Sequence, residues 1–308
     1  GQKADDMQRQ QDAAHHAKGQ RVAIVVDSAA DIPEELLESL GIHVVPVRIH
    51  FGNRSYLDKV TMTPNEFYRE LATNPEHPKT SQPPPGDFRR MYEFLASHYE
   101  SVVSIALSSK VSGTCNAAAT AAQRVAPGEG GRRPVTVVDS LSISTGQALI
   151  AIAAAERAKA GGSAEEVIAT ARAAIMQTRS FALLGSVDSA VKGGRVPKFA
   201  QTIANLLSLS IVLATQQDGR VTLGGALWGR RNRVEKFARF LARRLTKAAR
   251  LRILVGHGAA PEAAAALVRQ LEAATPAGAI ETIAITDMGT ALGVHGGPGT
   301  LVVGIQGR

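Results

Sequence analysis

Seven residues, Ser108-Ser-Lys-Val-Ser-Gly-Thr114, bring four hydroxyls and a glycine into one short stretch. An apolar run, 102–107, precedes them and reads as a buried strand; an alanine-rich run, 116–123, follows and reads as a helix. A strand-to-helix crossing aims free backbone N–H groups and the positive end of a helix dipole at one spot. Such a spot attracts an anion, and in an open α/β sheet it lies at the carboxyl edge, where ligands bind. The plainer reading is a helix cap, with Ser112 or Thr114 satisfying the first turn.

Other stretches carry chemistry of the same kind. Thr80-Ser-Gln-Pro-Pro-Pro-Gly-Asp-Phe88 opens a loop in which three prolines hold the hydroxyls of Thr80 and Ser81 in place at low entropic cost. Its plainer reading is a connector to a helix over 88–98, capped by Gly86-Asp87. Gly289-Thr-Ala-Leu-Gly-Val-His-Gly-Gly-Pro-Gly299 sets His295 among glycines, which keep an imidazole reachable. Asp27, Asp31, Asp139 and Asp287 follow strand-like runs and read as caps; they would bind Mg²⁺ only if clustered. His43 and His50 flank a strand over 43–51 and lack a third metal ligand at a useful spacing. Cys115 sits at a helix start, which favours a thiolate, but a nucleophile there needs a base, and packing is the expected role. Neither a Gly-x-x-x-x-Gly-Lys-Ser/Thr loop nor a Gly-x-Gly-x-x-Gly fingerprint occurs; Gly193-Gly-Arg-Val-Pro-Lys198 lacks the second glycine and the hydroxyl of a phosphate loop. No metal and no cofactor is expected.

Composition bounds the elements that must position these residues. The chain has 308 residues, of which 44% are hydrophobic and 4% aromatic. An apolar site must therefore be lined mainly by aliphatic side chains, which suits an alkyl chain better than a stacked ring and disfavours base-stacking nucleic-acid modules. The net charge of +8 is densest over 230–252, with no nucleic-acid motif beside it. One cysteine excludes a disulfide framework and fits a reducing, cytoplasmic setting. No uninterrupted apolar run of about 18 residues predicts a spanning helix. Residues 1–20 are polar and lack the apolar core of a signal peptide, so they read as a flexible tag remnant or linker.

Strands and helices then alternate. Strands are expected over 22–27, 43–51, 102–107 and 135–138, and helices over 34–40, 64–72, 88–98, 116–123, 143–160 and 164–177. This predicts a doubly wound, mostly parallel α/β domain over 21–178. The pattern changes near Thr178. Short helices over 186–192 and 199–206, a hairpin at Asp218-Gly219, a basic amphipathic helix over 230–247 and a final strand-helix-strand-strand set predict a mixed α/β domain over 179–308.

Together with Ile24-Val-Val-Asp-Ser-Ala-Ala-Asp-Ile-Pro33, Val138-Asp-Ser-Leu-Ser-Ile-Ser-Thr-Gly146 and Lys192-Gly-Gly-Arg-Val-Pro197, these stretches resemble, in order and spacing, the DegV family of fatty-acid-binding proteins that serve bacterial fatty acid kinase. The resemblance covers about residues 21–308. It implies the two-domain DegV-type fold with a ligand tunnel between the domains. It also implies a non-enzymatic carrier that encloses one long-chain fatty acid and presents its carboxylate to a separate ATP-dependent kinase subunit. Nucleic acid is not an expected partner; transient membrane contact is allowed. By the same resemblance the carboxylate ligands are Thr80, Ser112 and His295. Gly113 permits close backbone approach, Ser81, Ser109 and Thr114 are second choices, and Arg231 and Arg233 dock the kinase. Gly296 stands where the family commonly has Thr and Pro84 where Ser is common, so two hydroxyls near the head group are missing. The rival expectation is a small-substrate enzyme similar to dihydroxyacetone kinases, with His295 as nucleophile.

Overall fold

The computed structural model describes residues 19–194, 201, 202, 205, 207–229, 231–245 and 250–307. Most of the expected tail over 1–20, residues 195–197 of the Lys192 stretch, much of the expected helix over 199–206, and Arg230 and 246–247 of the basic helix lie outside the described residues.

The first half builds a parallel sheet. Its strands are β1 (Val22–Asp27), β2 (Ile42–Val45), β6 (Ser101–Ala106) and β7 (Val135–Asp139), in the order β2–β1–β6–β7. Every residue of β1 and β6 is buried, as near-continuous apolar runs in a covered sheet require. Alternate residues serve opposite faces. Ala23, Val25 and Val102 pack on α3 (Pro85–Ala96) and α4 (Thr114–Arg124) through Phe88, Tyr92 and Ala118. Val22, Ile24 and Val103 pack on α5 (Ser144–Lys159) and α6 (Ala164–Gln177). The chain leaves β1 toward β2 on one side and returns as β6 on the other, so the β1–β6 crevice is the topological switch point.

Helix α5 is apolar nearly all round and is buried without a break from Ser144 to Ala155. Its far side meets a six-stranded sheet, β10–β9–β8–β13–β11–β12. These strands are β8 (Thr178–Leu183), β9 (Leu209–Thr215), β10 (Val221–Trp228), β11 (Leu251–His257), β12 (Ile280–Asp287) and β13 (Leu301–Gly307). All neighbours are antiparallel except β11 and β12. Gly304 lies so close to the backbone of Thr145 that a Cβ would come within 2.8 Å of it, so the glycine sets the helix-to-sheet approach. On the opposite face, α8 (Arg233–Ala242) and α9 (Pro261–Ala274) press Phe237, Phe240, Leu241, Leu267 and Leu271 onto the sheet. The apolar face expected of the basic helix is therefore present, on a described helix shorter than 230–247.

Three expectations are corrected. The single strand over 43–51 divides at Pro46, which has no N–H to donate. β2 stays in the parallel sheet, while β3 (Arg48–Phe51) joins β4 (Arg54–Leu57) and β5 (Lys79–Ser81) in a three-stranded antiparallel sheet. His43 and His50 accordingly lie within strands rather than beside one. Thr80 and Ser81 belong to β5, paired with Ile49 and Arg48, not to a loop. Helix α3 starts at Pro85, so Gly86 and Asp87 sit in its first turn. The remaining helices are α1 (Glu34–Leu40), α2 (Pro64–Thr73), α7 (Val187–Lys192) and α10 (Thr290–Gly296); the last lies in the glycine-rich stretch, for which the sequence suggests no helix.

Candidate functional site

The hydroxyl crossing forms at the carboxyl end of β6. Helix α4 has Gly113 as its N-cap, which carries no side chain to cap it, but the plainer reading holds in part, because Ser112 satisfies the first N–H of the helix. Ser112 Oγ accepts the Thr114 N–H at 3.2 Å and lies 2.9 Å from Thr114 Oγ1. Thr114 is buried and Ser112 half-buried. Ser108 points away, donating to Gly219 O at 2.7 Å, and the Ser109 N–H goes to Asp139 Oδ1 at 3.2 Å. Asp27 fills the switch point: its carboxylate accepts from Leu107 N at 2.8 Å, Ala29 N at 3.1 Å and Gln147 Nε2 at 3.0 Å. Burial outweighs these donors and pushes its pKa up to about 6.

Strand β5 lies beside this crossing. Gln82, the next residue after it, packs its carboxamide against Gly113 so closely that any Cβ at 113 would collide with it. The Thr-Ser-Gln-Pro and Ser-Gly-Thr stretches thus meet. Ser81 Oγ is 2.8 Å from His50 Nε2, and His50 Nδ1 is 2.8 Å from Ser55 Oγ, so one imidazole links two hydroxyls. Strand β5 also packs against α10, whose last turn carries half-buried His295. The His295 ring lies against Gly193, where a Cβ would strike Nδ1. Across β5, Thr80 pairs with Ile49, a member of an apolar cluster with Phe51, Phe67, Tyr68, Val294 and Val302.

A polar network absent from the sequence reading holds α10 in place. Lys59 Nζ donates to Asp31 Oδ1 at 2.7 Å, Ser28 O at 2.8 Å and Ala30 O at 3.1 Å. Asp31 also accepts from Ser144 Oγ at 2.5 Å and Gly289 N at 2.8 Å; Asp58 accepts from Ser28 Oγ at 2.7 Å and Thr290 N at 3.2 Å. Two carboxylates from distant loops therefore cap α10, which has no side-chain cap of its own. Burial works against the Lys59 ammonium, but Asp31 and Asp58 outweigh it and hold its pKa above the ordinary value. Burial raises the pKa of Asp58. No motif marks Lys59 or Asp58, which follow the half-polar strand Arg54–Leu57.

Among the described residues, no group of three or more His, Cys, Asp or Glu could hold a metal ion. Burial, with Asp139 and Asp27 adding to it, pushes the Cys115 thiol up to about 11, so the thiolate favoured by its helix position does not form near neutral pH. Of the two docking candidates, Arg231 is exposed, whereas Arg233 is half-buried and donates to Leu184 O at 2.5 Å. No described helix is long and apolar enough to cross a membrane.

The fold and this arrangement define a class: a three-sheet α/β protein in which the hydroxyl crossing at the carboxyl end of β6 meets β5, which in turn packs against the histidine-bearing helix α10 beside an apolar cluster. The chain belongs to the DegV family, whose model matches residues 21–308. It is 30% identical over 282 residues to Protein DegV of Bacillus subtilis, covering 91% of this chain and 97% of that protein. It is 33% identical over 202 residues to a DegV domain-containing protein of Caldanaerobacter subterraneus subsp. tengcongensis, covering 66% of this chain and 70% of that protein. A fatty-acid-binding DegV family protein from Thermus thermophilus has a similar structure, with a TM-score of 0.82 at 28% identity over 94% of this chain and all (100%) of that one. DegV of B. subtilis, also a fatty-acid-binding protein, gives 0.80 at 28% identity, over 94% of this chain and 100% of that chain.

Proposed function

We propose that the protein binds one long-chain fatty acid, with its carboxylate at Thr80, Ser112 and His295, and presents that carboxylate to a separate ATP-dependent kinase for acyl-phosphate formation. The observation that carries this reading is the meeting of β5 with both the hydroxyl crossing and α10, beside the apolar cluster around Ile49, Phe67 and Val294. The similarity to fatty-acid-binding DegV proteins supports it.

Energetics favour the same division of labour. Each buried methylene contributes roughly 0.8 kcal/mol, so about fourteen of them gain on the order of 11 kcal/mol at most. A buried carboxylate costs several kcal/mol unless hydrogen-bonded. Hydroxyls, helix-start amides and an imidazole satisfy it without committing a full positive charge, which would hold the acyl phosphate too tightly. Thr80 and Ser112 serve as donors, and Gly113 leaves the backbone open. Ser81 is engaged by His50, Ser109 is tied through its N–H to Asp139, and Thr114 bonds Ser112. These three act as supports. The acyl chain runs into the apolar cluster, between the segments 21–178 and 179–308. Arg231, exposed beside the start of α8, meets the kinase. The carrier needs no metal or cofactor of its own.

The covalent-histidine reading needs a small polar substrate at His295, whereas the cluster of Ile49, Phe67 and Val294 beside the site suits an acyl chain. Native mass spectrometry after gentle purification from a fatty-acid-fed culture tests the proposal. One bound acid per chain is expected; a bare protein that also takes up no added palmitate overturns it.

A further inference from the structure

A separate cavity of about 640 Å³ opens between the end of α6, the start of β8, the loop after β7 and the β9–β10 hairpin. Thr80, Ser112 and His295 do not line it. Its volume is that of a small-molecule site.

Its walls carry two arginines, Arg179 and Arg244, and among the described residues neither forms an ion pair with a carboxylate. The one acid among the described lining residues, Asp218, is engaged by Arg220 at 2.7 Å. Arg244 is held in place: its guanidinium lies 3.6 Å from the centroid of the Phe240 ring and, among the described residues, donates to Phe240 O at 3.1 Å. Stacking anchors the cation while leaving its other N–H groups free to donate.

Two of the three most exposed large apolar side chains described also border this cavity: Met176 at 75% and Leu223 at 66%, with Trp228 at 69% the other. Single exposed apolar residues need no explanation, but two in the lining of one cavity that also carries two guanidiniums without described acidic partners form a complementary surface. The deeper lining, Ile175, Phe181 and Ala214, extends its apolar part inward.

We propose that this cavity is a second ligand site that takes a small amphipathic anion: a carboxylate, sulfonate or phosphate between Arg179 and Arg244, with an apolar body against Met176 and Leu223. The fork geometry of two arginines suits a planar or tetrahedral oxyanion. The site adjoins the hydroxyl crossing, because Ser108 bonds Gly219 of the hairpin at 2.7 Å and Ser142 O in the β7 loop at 3.1 Å. It needs no occupant in the acyl site and stands or falls independently of the fatty-acid reading.

The test is calorimetric titration of 8-anilinonaphthalene-1-sulfonate, whose fused rings do not suit a straight acyl channel, into protein saturated with palmitate. One site is expected. Its affinity should fall at least tenfold in Arg179→Ala/Arg244→Ala and at least threefold in Leu223→Ser, and stay unchanged in Arg89→Ala/Arg132→Ala, which removes two exposed arginines elsewhere. If the first double variant does not fold, Arg179→Glu, at an exposed position, should show the tenfold loss alone. Undiminished affinity in the arginine variants, or no binding by the wild type, overturns the proposal. If palmitate itself does not bind, the fatty-acid reading fails separately, and the same titrations on bare protein still decide this site.

Discussion

Lys59 Nζ lies 2.7 Å from Asp31 Oδ1, and this pair ties the loop after β1 to the first turns of α5 and α10. The Asp31 side chain is 2% exposed and that of Lys59 23%. Removing one partner of such a pair leaves a buried charge uncompensated, which costs about 3 kcal/mol or more. Lys59→Ala should lower the urea unfolding free energy by about that amount. A loss below about 1 kcal/mol would place the pair with ordinary surface ion pairs.

Asp27 predicts a pH dependence. Its folded-state pKa is raised from 3.8 to about 6, so the folded protein holds this proton more tightly than the unfolded chain. The associated stability is fully present below about pH 4 and is lost as pH rises through about 6. Relative to Asp27→Asn, the wild type should lose about 3 kcal/mol between these limits and change little above pH 7. Chemical denaturation at pH 4.5, 5.5, 6.5 and 7.5 checks it; a difference that is flat or grows with pH contradicts the assignment.

Much of this frame is readable from residue order, and the exceptions share a cause. The runs that become β1 and β6 are apolar at nearly every position, and 164–177 matches α6 residue for residue. β5 escapes such reading because three residues ahead of three prolines carry no periodicity; its strand character comes from pairing with β3, some thirty residues earlier. Helix α10 escapes because glycines weaken its propensity and its caps are Asp31 and Asp58, more than 230 residues away. The hydroxyls and His295 were legible as residue types, but the contact of Gln82 with Gly113 depends on how β5 docks.

Ser112 supplies the next expectation. With its hydroxyl at the mouth of α4, Ser112→Ala should weaken fatty-acid binding by about 1.5–3 kcal/mol, the range for hydrogen bonds to a charged group. Titration of a fluorescent fatty acid into both proteins measures it. Equal dissociation constants would remove Ser112 from the head-group site.

The two arginines at the start of α8 should separate. Arg231→Glu should leave fatty-acid binding and the melting temperature unchanged while slowing acyl-phosphate formation with the partner kinase, most strongly at low ionic strength. Arg233→Glu should also lower the melting temperature, because it removes the hydrogen bond to Leu184 O. Assays at 20 and 300 mM salt, with melts of both variants, distinguish them; a kinase rate indifferent to Arg231→Glu at low salt would return that residue to the solvated surface.

The central claim is that a fatty-acid carboxylate rests among Thr80, Ser112 and His295, and palmitate labelled with ¹³C at the carboxyl carbon reports on that point directly. The proposal predicts one bound carboxyl resonance at one acid per chain, shifted in Ser112→Ala and in His295→Ala and unmoved in Arg231→Glu. The absence of a bound resonance, or one that ignores both Ser112→Ala and His295→Ala, would contradict it.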